Sequence, residues 1–354
     1  MSGDIAFLER LLDAPGPSGF EARPARAWRE EADSFAEAWG DVVGNSYAAV
    51  RRDARPLALL AGHIDEIGLQ VTHADKSGLL YFGGIGGWDP QVLVGQRVRV
   101  LGSRGDVPGV IGRKAIHLIE PKERDKAVKV KKLWIDVGAE SRDELGELGV
   151  RVGDPAVIDA GMVRLAGDRV ASRAIDNRVG AFIVLEALRM VAGQGGRAGA
   201  VAVATAQEEI GYSGGGARAS AFGLAPDVAL VVDVTHATDV PEVEKSEVGE
   251  HSLGSGPVLT RGSATHPEVF EVLAATAEAN DIPYSIQAAP LRTSTDADAI
   301  HLARGGIPTG LVSVPNRYMH SPSEMVSASD LFLTARLLAA FVARLDEGID
   351  FGRG

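Results

Sequence analysis

The sequence contains no cysteine, so the chain can form neither a disulfide nor a thiolate metal site. Any metal ligand must therefore be a histidine, an aspartate or a glutamate. No apolar run approaches the ~20 residues that a membrane-spanning helix requires, and residues 1–10 lack the apolar core of a signal peptide. We therefore expect a cytoplasmic protein that has no membrane partner.

Basic residues are also scarce, because 36 Lys and Arg face 48 Asp and Glu, which leaves a formal net charge of −12. Nucleic-acid binding needs clustered Lys and Arg. The one basic run, residues 122–132, is interleaved with acidic residues and indicates a solvated segment. We therefore expect no nucleic-acid partner, and an acidic surface mildly favours cationic ligands such as the protonated amine of a peptide.

The chain has 354 residues, of which 45% are hydrophobic and 24% charged. This composition is typical of a globular protein, and the length predicts two domains. Apolar runs rich in Val, Ala and Leu are typical of parallel strands buried on both faces, and they cover residues 56–62, 200–206, 228–232 and 309–314. Helical spacing of apolar residues covers 177–191, 266–279, 297–303 and 328–344. The alternation predicts an α/β fold, a three-layer αβα domain with a largely parallel central sheet.

Residues 69–166 follow a different pattern. They contain short alternating runs at 96–101, 107–111 and 131–137, separated by Gly and Pro, without long helical stretches. This pattern predicts a small β-barrel-like domain. We therefore expect a discontinuous catalytic domain of residues 1–68 and 167–354, interrupted by a β-rich insertion of residues 69–166.

The notable polar residues fall where the predicted strands end or a helix begins. Ligands collect at the carboxyl ends of the strands in open parallel sheets. Taken singly, each of these residues is more often a helix cap, a surface group or a hydrogen-bonded interior histidine. Together they form one set of candidates: His63, Asp65, Asp176, Glu208, Glu209, Asp233 and His320.

The chemistry of this set favours a metal site. Two histidines and several carboxylates beyond buried strands would be costly to desolvate without positive charge, which divalent cations supply. A mixed nitrogen and oxygen ligand set suits Zn²⁺, and also Co²⁺ or Mn²⁺. Adjacent Glu208 and Glu209 cannot point the same way, so one can bind metal while the other moves protons. Asp65 projects to the same face as His63 and can orient its imidazole.

At these motifs the sequence resembles the M42 metallopeptidases, the family of tetrahedral aminopeptidases. The resemblance extends over nearly the whole chain. The segments that carry it are residues 62–68 (GHIDEIG), 112–118 (GRKAIHL), 134–139 (WIDVGA), 173–178 (RAIDNR), 206–211 (AQEEIG), 232–237 (VDVTHA), 295–300 (TDADAI) and 318–322 (YMHSP).

The resemblance implies a dinuclear site in which Asp176 bridges two divalent metal ions, most simply Zn²⁺. One ion would also take His63 and Asp233, and the other Glu209 and His320. Glu208 would be the general base that activates a water shared by the metals, and Asp65 would support His63. The family also has a cis peptide after the bridging aspartate. The insertion would correspond to its PDZ-like or β-barrel dimerisation domain, and the chain would form a homo-oligomer, a dodecamer or smaller.

The implied function is an aminopeptidase that removes the N-terminal residue of short peptides with a free N-terminus. Two alternatives use the same residues: a dinuclear hydrolase acting on N-acyl amino acids or glycosides, and a non-catalytic assembly protein stabilised by metal. A free base such as Glu208 argues against the second, because a purely structural metal site has no use for it. Residues 212–216 form a glycine-rich loop that we expect to be mobile, and residues 248–256 receive no role. Asp296 is expected to cap a helix, with contact to substrate as the alternative.

Overall fold

The structure is a computed structural model, and it describes residues 5–211, 214–345 and 348–352. Its helices are α1 Ala6–Asp13, α2 Ala22–Ala32, α3 Pro90–Leu93, α4 Arg142–Glu147, α5 Ile175–Gly193, α6 Gly215–Leu224, α7 Lys245–Val248, α8 Pro267–Ala279, α9 Ala297–Ile300 and α10 Ala328–Arg344. Its strands are β1 Glu37–Gly40, β2 Ser46–Val50, β3 Leu57–His63, β4 Gly68–Ala74, β5 Leu79–Ile85, β6 Arg97–Gly102, β7 Gly105–Arg113, β8 Leu133–Asp136, β9 Pro155–Ile158, β10 Val163–Arg164, β11 Arg169–Ser172, β12 Gly199–Thr205, β13 Val228–His236, β14 Val258–Gly262, β15 Ser285–Ala289, β16 Thr309–Asn316 and β17 Glu324–Ser327.

The central sheet has eight strands in the order β1-β2-β12-β3-β13-β16-β14-β15. Its middle four strands, β12, β3, β13 and β16, run parallel, and β14 and β15 form a further parallel pair. Antiparallel pairing joins β1 to β2, β2 to β12, and β14 to β16. Since the middle strands are buried along almost their whole length, they carry unbroken apolar runs, as the sequence predicts.

Helices cover both faces of this sheet, which gives the predicted three-layer architecture. The larger core lies between the sheet and α1, α2, α5, α8 and α10, and the smaller core lies under α6 and α9. Helix α5 packs on β3 through an unusually close backbone approach. A Cβ built on Gly62 would lie 2.6 Å from the backbone carbon of Gly180, so only glycine fits there. The start of α5 is thereby held against the end of β3.

A closed six-stranded barrel, in the order β4-β5-β8-β7-β6-β9, interrupts the αβα fold. All of its strand pairs are antiparallel, and it has its own apolar core. The predicted β-barrel-like insertion is therefore confirmed, and its strands run from Gly68 to Ile158. The PDZ-like comparison and the boundaries 69–166, with the flanking 1–68 and 167–354, stay predictions.

A small three-stranded sheet, β10-β11-β17, lies outside both of these sheets. Its strands pair antiparallel, with Ser172 opposite Glu324 and Arg169 opposite Ser327. Strand β11 leads directly into α5, and β17 leads directly into α10. In the part of the chain that the structure describes, no helix is long and apolar enough to cross a membrane.

Candidate metal centre

The seven candidate residues come from five different elements that meet at one edge of the central sheet. His63 ends β3, and it pairs in register with Thr205 at the end of β12, from which the chain turns into Glu208 and Glu209. Asp233 lies inside β13 rather than after it, because that strand continues to His236. Asp176 is the second residue of α5, and His320 lies in the loop between β16 and β17.

The carboxylate of Asp176 lies at the centre of this group. Its Oδ1 is 3.2 Å from Nε2 of His63, and its Oδ2 is 3.3 Å from Nε2 of His320. Each carboxylate oxygen therefore faces a different imidazole. The peptide bond between Asp176 and Asn177 is cis, as the family resemblance predicts.

The remaining ligand candidates surround the two histidines. Oδ1 of Asp233 lies 3.9 Å and Oε2 of Glu208 lies 3.8 Å from Nε2 of His63. Oε2 of Glu209 lies 3.3 Å from Nε2 of His320. The two adjacent glutamates thus point towards different histidines, as the sequence predicts. His63, Asp176 and Glu209 also offer three ligand atoms that all lie within 4.8 Å of one another.

These spacings fit divalent ions. Two ligand atoms at about 2.0–2.1 Å from a tetrahedral ion lie roughly 3.3 Å apart, which is close to the contacts that Asp176 makes. Oε1 of Glu209 is buried and has no hydrogen-bond partner among the described residues. A buried carboxylate oxygen is costly to leave unsatisfied, and a cation would satisfy it.

Asp65 fixes the backbone beneath the site as well as facing His63. Its Oδ1 lies 3.4 Å from Nδ1 of His63, which is longer than an ordinary hydrogen bond. The same carboxylate accepts from the hydroxyl of Ser18 at 2.6 Å and from the backbone amides of Glu208 and Glu209, both at 3.1 Å. Asp65 therefore connects the end of β3 to the turn that carries both glutamates.

Burial and mutual repulsion disfavour the charged forms of the acids in this cluster. Burial raises the pKa of Glu208 to about 10 and that of Glu209 to about 7. Burial also raises the pKa of Asp233 well above its ordinary value. Asp176 behaves in the opposite way, because His320 and His63 overcome the effect of burial and hold its pKa below the usual range.

The two imidazoles take part in the same balance. The carboxylates of Asp176 and Glu209 raise the pKa of His320 to about 11. Burial lowers the pKa of His63, but Asp176 and Asp65 outweigh it and hold that pKa well above the ordinary value. Among the described residues, the ion pairs of the clustered acids are all with these two histidines. With all of its carboxylates ionised, the cluster would carry an excess of negative charge, which divalent cations would neutralise.

The cluster opens into a cavity of about 1190 Å³. His236, Arg218, Arg292 and Asp298 line it together with the clustered acids and histidines. A space of this size suits a small peptide better than a single ion.

Two smaller sequence predictions turn out differently. Asp296 precedes α9 but makes no side-chain capping bond, so the capping prediction is wrong. Its carboxylate is buried and instead accepts a 2.5 Å hydrogen bond from the hydroxyl of Thr205, at the end of β12. Residues 248–256, which received no role, pack against the start of α10, where Asp330 accepts from the amides of Gly254 and Gly256.

The structure describes part of the glycine-rich loop. Residues 212 and 213 lie outside the described residues, so the prediction of a mobile loop is untested there. Gly216 packs tightly, because a Cβ at that position would lie 1.9 Å from Oδ1 of Asn45. Its amide also donates to the carbonyl of Ala206.

Comparison with known proteins decides the family. Residues 44–337 match the M42 glutamyl aminopeptidase family. The chain belongs to that family. It is 33% identical to a lysyl aminopeptidase of Pyrococcus furiosus over 97% of each chain. The M42 proteins are metallopeptidases, so membership makes this chain a metal-dependent hydrolase of the aminopeptidase class.

Solved M42 structures share the whole fold of the chain. A TET aminopeptidase from a marine-sediment Thaumarchaeota archaeon superposes with a TM-score of 0.92, at 35% identity, covering 98% of both chains. A Pyrococcus horikoshii TET1 peptidase, which can assemble into a tetrahedron or a large octahedral shell, gives a TM-score of 0.84 at 30% identity, covering 96% of this chain and 98% of that one. The M42 chain therefore has both the αβα fold and the inserted barrel in common with these enzymes.

Proposed function

We propose that this M42 chain removes N-terminal residues from short peptides with two divalent ions per subunit, Zn²⁺ or alternatively Co²⁺ or Mn²⁺. His63 and Asp233 would hold one ion, Glu209 and His320 the other, and Asp176 would bridge them. The observation that carries this proposal is the placement of the two Asp176 oxygens, at 3.2 Å and 3.3 Å from two different histidines. Glu209 lies close enough to both histidines to contribute to either ion.

When bound, the ions would act as Lewis acids that polarise the scissile carbonyl and lower the pKa of water. The residues of the chain would hold the ligands in position and transfer the protons. Asp65 would keep His63 in position. The buried arginines Arg173 and Arg178 would hold the surrounding backbone, because they donate to the carbonyls of Asp13 and Ile64 respectively.

Glu208 is the proposed general base. Its side chain lines the cavity and is 16% exposed, so it can reach a substrate there. It would take a proton from the attacking water and pass it to the leaving amine. Burial raises the pKa of Glu208, and divalent ions bound beside it would favour the carboxylate form that a base needs.

The acidic walls of the cavity support exopeptidase action. A protonated N-terminal amine would be attracted to the carboxylates around the site, whereas an acylated terminus would not. This distinction separates an aminopeptidase from a deacylase or a glycosidase built on the same cluster. We also propose a homo-oligomer, since the related TET1 peptidase assembles into closed shells. A cytoplasmic location stays a prediction from the sequence.

The proposal is tested with metal-stripped protein refilled with Zn²⁺, Co²⁺ or Mn²⁺. Each form is assayed on amino-acid p-nitroanilides, N-acyl amino acids and a soluble cellulosic substrate. We expect two bound ions per subunit and activity confined to the free-amine anilides. Hydrolysis of only the acylated or glycosidic substrates would refute the aminopeptidase assignment.

The base is tested separately with Glu208→Gln. General-base catalysis contributes about 10²–10⁴-fold, so kcat should fall by that factor while the metal content stays at two ions. Glu268→Gln, at an exposed glutamate on α8, is the matched control and should leave kcat unchanged. Near-normal turnover in Glu208→Gln would mean that another group is the base.

A further inference from the structure

Glu324 is a buried carboxylate that contacts the backbones of two proposed metal ligands. Its Oε2 accepts a 3.0 Å hydrogen bond from the amide of Asp176, and its Oε1 accepts a 2.8 Å hydrogen bond from the amide of His320. The residue is 2% exposed. One side chain thus connects two ligands that are 144 positions apart in the sequence.

The small three-stranded sheet explains how Glu324 reaches both amides. Glu324 is the first residue of β17, and it lies opposite Ser172, the last residue of β11. The chain runs from Ser172 directly into α5, so Asp176 follows four residues after the residue opposite Glu324. On the other side, His320 lies only four residues before Glu324.

The loop that carries His320 depends on this contact. It is closed at its base by paired backbone hydrogen bonds between Arg317 and Met325, of 2.9 Å and 3.0 Å. Within the loop, Tyr318 and His320 both have a positive φ, a conformation that non-glycine residues adopt rarely. Among the described residues, the carboxylate of Glu324 is the recorded acceptor for the His320 amide.

At the start of α5, the same carboxylate accepts the hydrogen bond of the Asp176 amide, which has no acceptor within the helix. The first amides of a helix have no intrahelical acceptor, and a negative group at the helix start is favourable. The described structure records no ion pair between Glu324 and a Lys or an Arg, so burial of this carboxylate is offset chiefly by the two amides. Burying a carboxylate in this way costs stability, and a geometry that function needs is one reason for a protein to keep it.

We propose that Glu324 is a positioning residue that sets the separation of the Asp176 carboxylate and the His320 imidazole, and that the β11–β17 sheet is the frame that holds it. This inference rests on the proposed function for the assignment of those two residues as metal ligands. Outer groups that orient ligands typically change metal affinity about 10–100-fold when they are removed. Glu324 differs from the usual case in that it holds ligand backbones rather than ligand side chains.

The test compares Glu324→Gln and Glu324→Leu with the matched control Asp330→Asn. Asp330 is also buried and also accepts from two backbone amides, at 2.7 Å and 2.8 Å, but these belong to Gly254 and Gly256. The wild type and the three variants are metal-stripped, and their affinities for Zn²⁺ and Co²⁺ are measured by chelator competition. The visible spectrum of bound Co²⁺ reports the geometry of the site.

We expect Glu324→Gln to weaken metal binding by about 10-fold and Glu324→Leu by about 100-fold, because Gln keeps one acceptor oxygen and Leu keeps none. The Co²⁺ spectrum should shift in both. Asp330→Asn should leave affinity and spectrum unchanged, even where it changes Tm. At saturating metal, Glu324→Gln should recover much of its kcat, which a merely destabilised protein would have no reason to do.

Hydrogen exchange supplies a readout that needs no metal. In the metal-free proteins, amide exchange in residues 174–178 and 318–322 should be faster in both Glu324 variants than in the wild type. Asp330→Asn should instead speed exchange in residues 252–257. Unchanged exchange at 318–322, or unchanged metal affinity with only a lowered Tm, would overturn the inference. If the wild type bound no metal while exchange responded as expected, the proposed function would fail but the backbone contact would stand.

Discussion

Replacement of Arg178 by Met should be one of the most destabilising single changes in this protein. Arg178 is completely buried at the start of α5, and its Nη2 lies 2.9 Å from Oε1 of Glu66. Its guanidinium also donates to four backbone carbonyls that lie on two separate segments. These are the carbonyls of Leu11, Ala14, Gly16 and Ile64.

The size of the stability loss follows from the buried groups that lose their partner when Arg178 is replaced. Removal of one partner of a buried ion pair costs about 3–5 kcal/mol, because the remaining charge stays buried. Glu66 would keep Arg173 at 2.5 Å and the amide of Gly16 at 2.9 Å, which reduces this loss. The carbonyls that lose their donor each add about 1–3 kcal/mol where water cannot reach them. We therefore expect a loss of at least about 4 kcal/mol.

The assay is thermal and urea unfolding of metal-stripped protein at neutral pH, so that metal affinity does not contribute. With an unfolding entropy of about 2.1 cal/mol/K per residue, 1 kcal/mol corresponds to about 1.3 °C for this chain, so Tm should fall by roughly 5 °C or more. Arg173→Met is the matched control. It also removes one cation from Glu66, but among the described residues Arg173 donates to one backbone carbonyl, that of Asp13. The loss of stability in Arg173→Met should therefore be smaller. Equal losses in the two variants, or a fall in Tm below about 3 °C for Arg178→Met, would refute this reasoning.

Three further outcomes are expected. Gly62→Ala would place a methyl group 2.6 Å from the backbone of α5, so it should lower the stability by about 1–3 kcal/mol or more and lower kcat by shifting His63 relative to Asp176. The control is Gly146→Ala, where the new Cβ meets nothing within 4 Å, and equal Tm values in the two variants would contradict the packing argument. Removal of metal with a chelator should lower Tm, because ions at 100 times their Kd add about 2.7 kcal/mol per site to the free energy of unfolding. Refilling with metal should restore Tm, and a Tm that does not respond to metal would contradict the proposed site. Burial raises the pKa of Asp330 to about 6, so the folded state binds its proton more tightly than the unfolded state does, and this group alone should lower stability by about 2–3 kcal/mol as pH rises from 4 to 6. Because other buried acids titrate in both proteins, urea unfolding should show a loss larger by this amount in the wild type than in Asp330→Asn, and parallel curves would contradict the argument.

Much of the fold could be predicted from apolar periodicity. The run at 200–206 becomes β12 Gly199–Thr205, and the helical pattern at 328–344 becomes α10 with the same bounds. Such segments are buried on one or both faces, so their apolar residues record their conformation directly. Strand β13 shows the limit of this approach. It continues through Asp233 to His236 because β16 pairs with it as far as Asn316, and a polar residue within a strand looks like its end.

The candidate site residues could be proposed from the sequence because strand ends in parallel sheets share an edge. The groups that hold those residues could not. Glu324 makes its contacts through two backbone amides, and Asp296 through Thr205, which is 91 positions away. Neither contact leaves a trace in periodicity or spacing, since each depends on how loops fold back over the sheet. The sequence signal for Glu324 was its position four residues after His320, just beyond the segment 318–322.

The distribution of charge around the site argues that the cations of this enzyme must come from outside the chain. Two guanidinium groups, those of Arg173 and Arg178, lie behind the site on the single carboxylate of Glu66, so that layer carries a surplus of one positive charge. Asp65 separates this layer from the histidines, and its charge acts on Arg178. On the cavity side, Arg218 and Arg292 line the wall, but among the described residues the ion pairs of the clustered acids are with imidazoles, which must be neutral to bind metal. Positive charge supplied by ions and by a substrate amine would therefore enter from the open side, where it can be exchanged, while the fixed arginines stabilise the scaffold from the closed side.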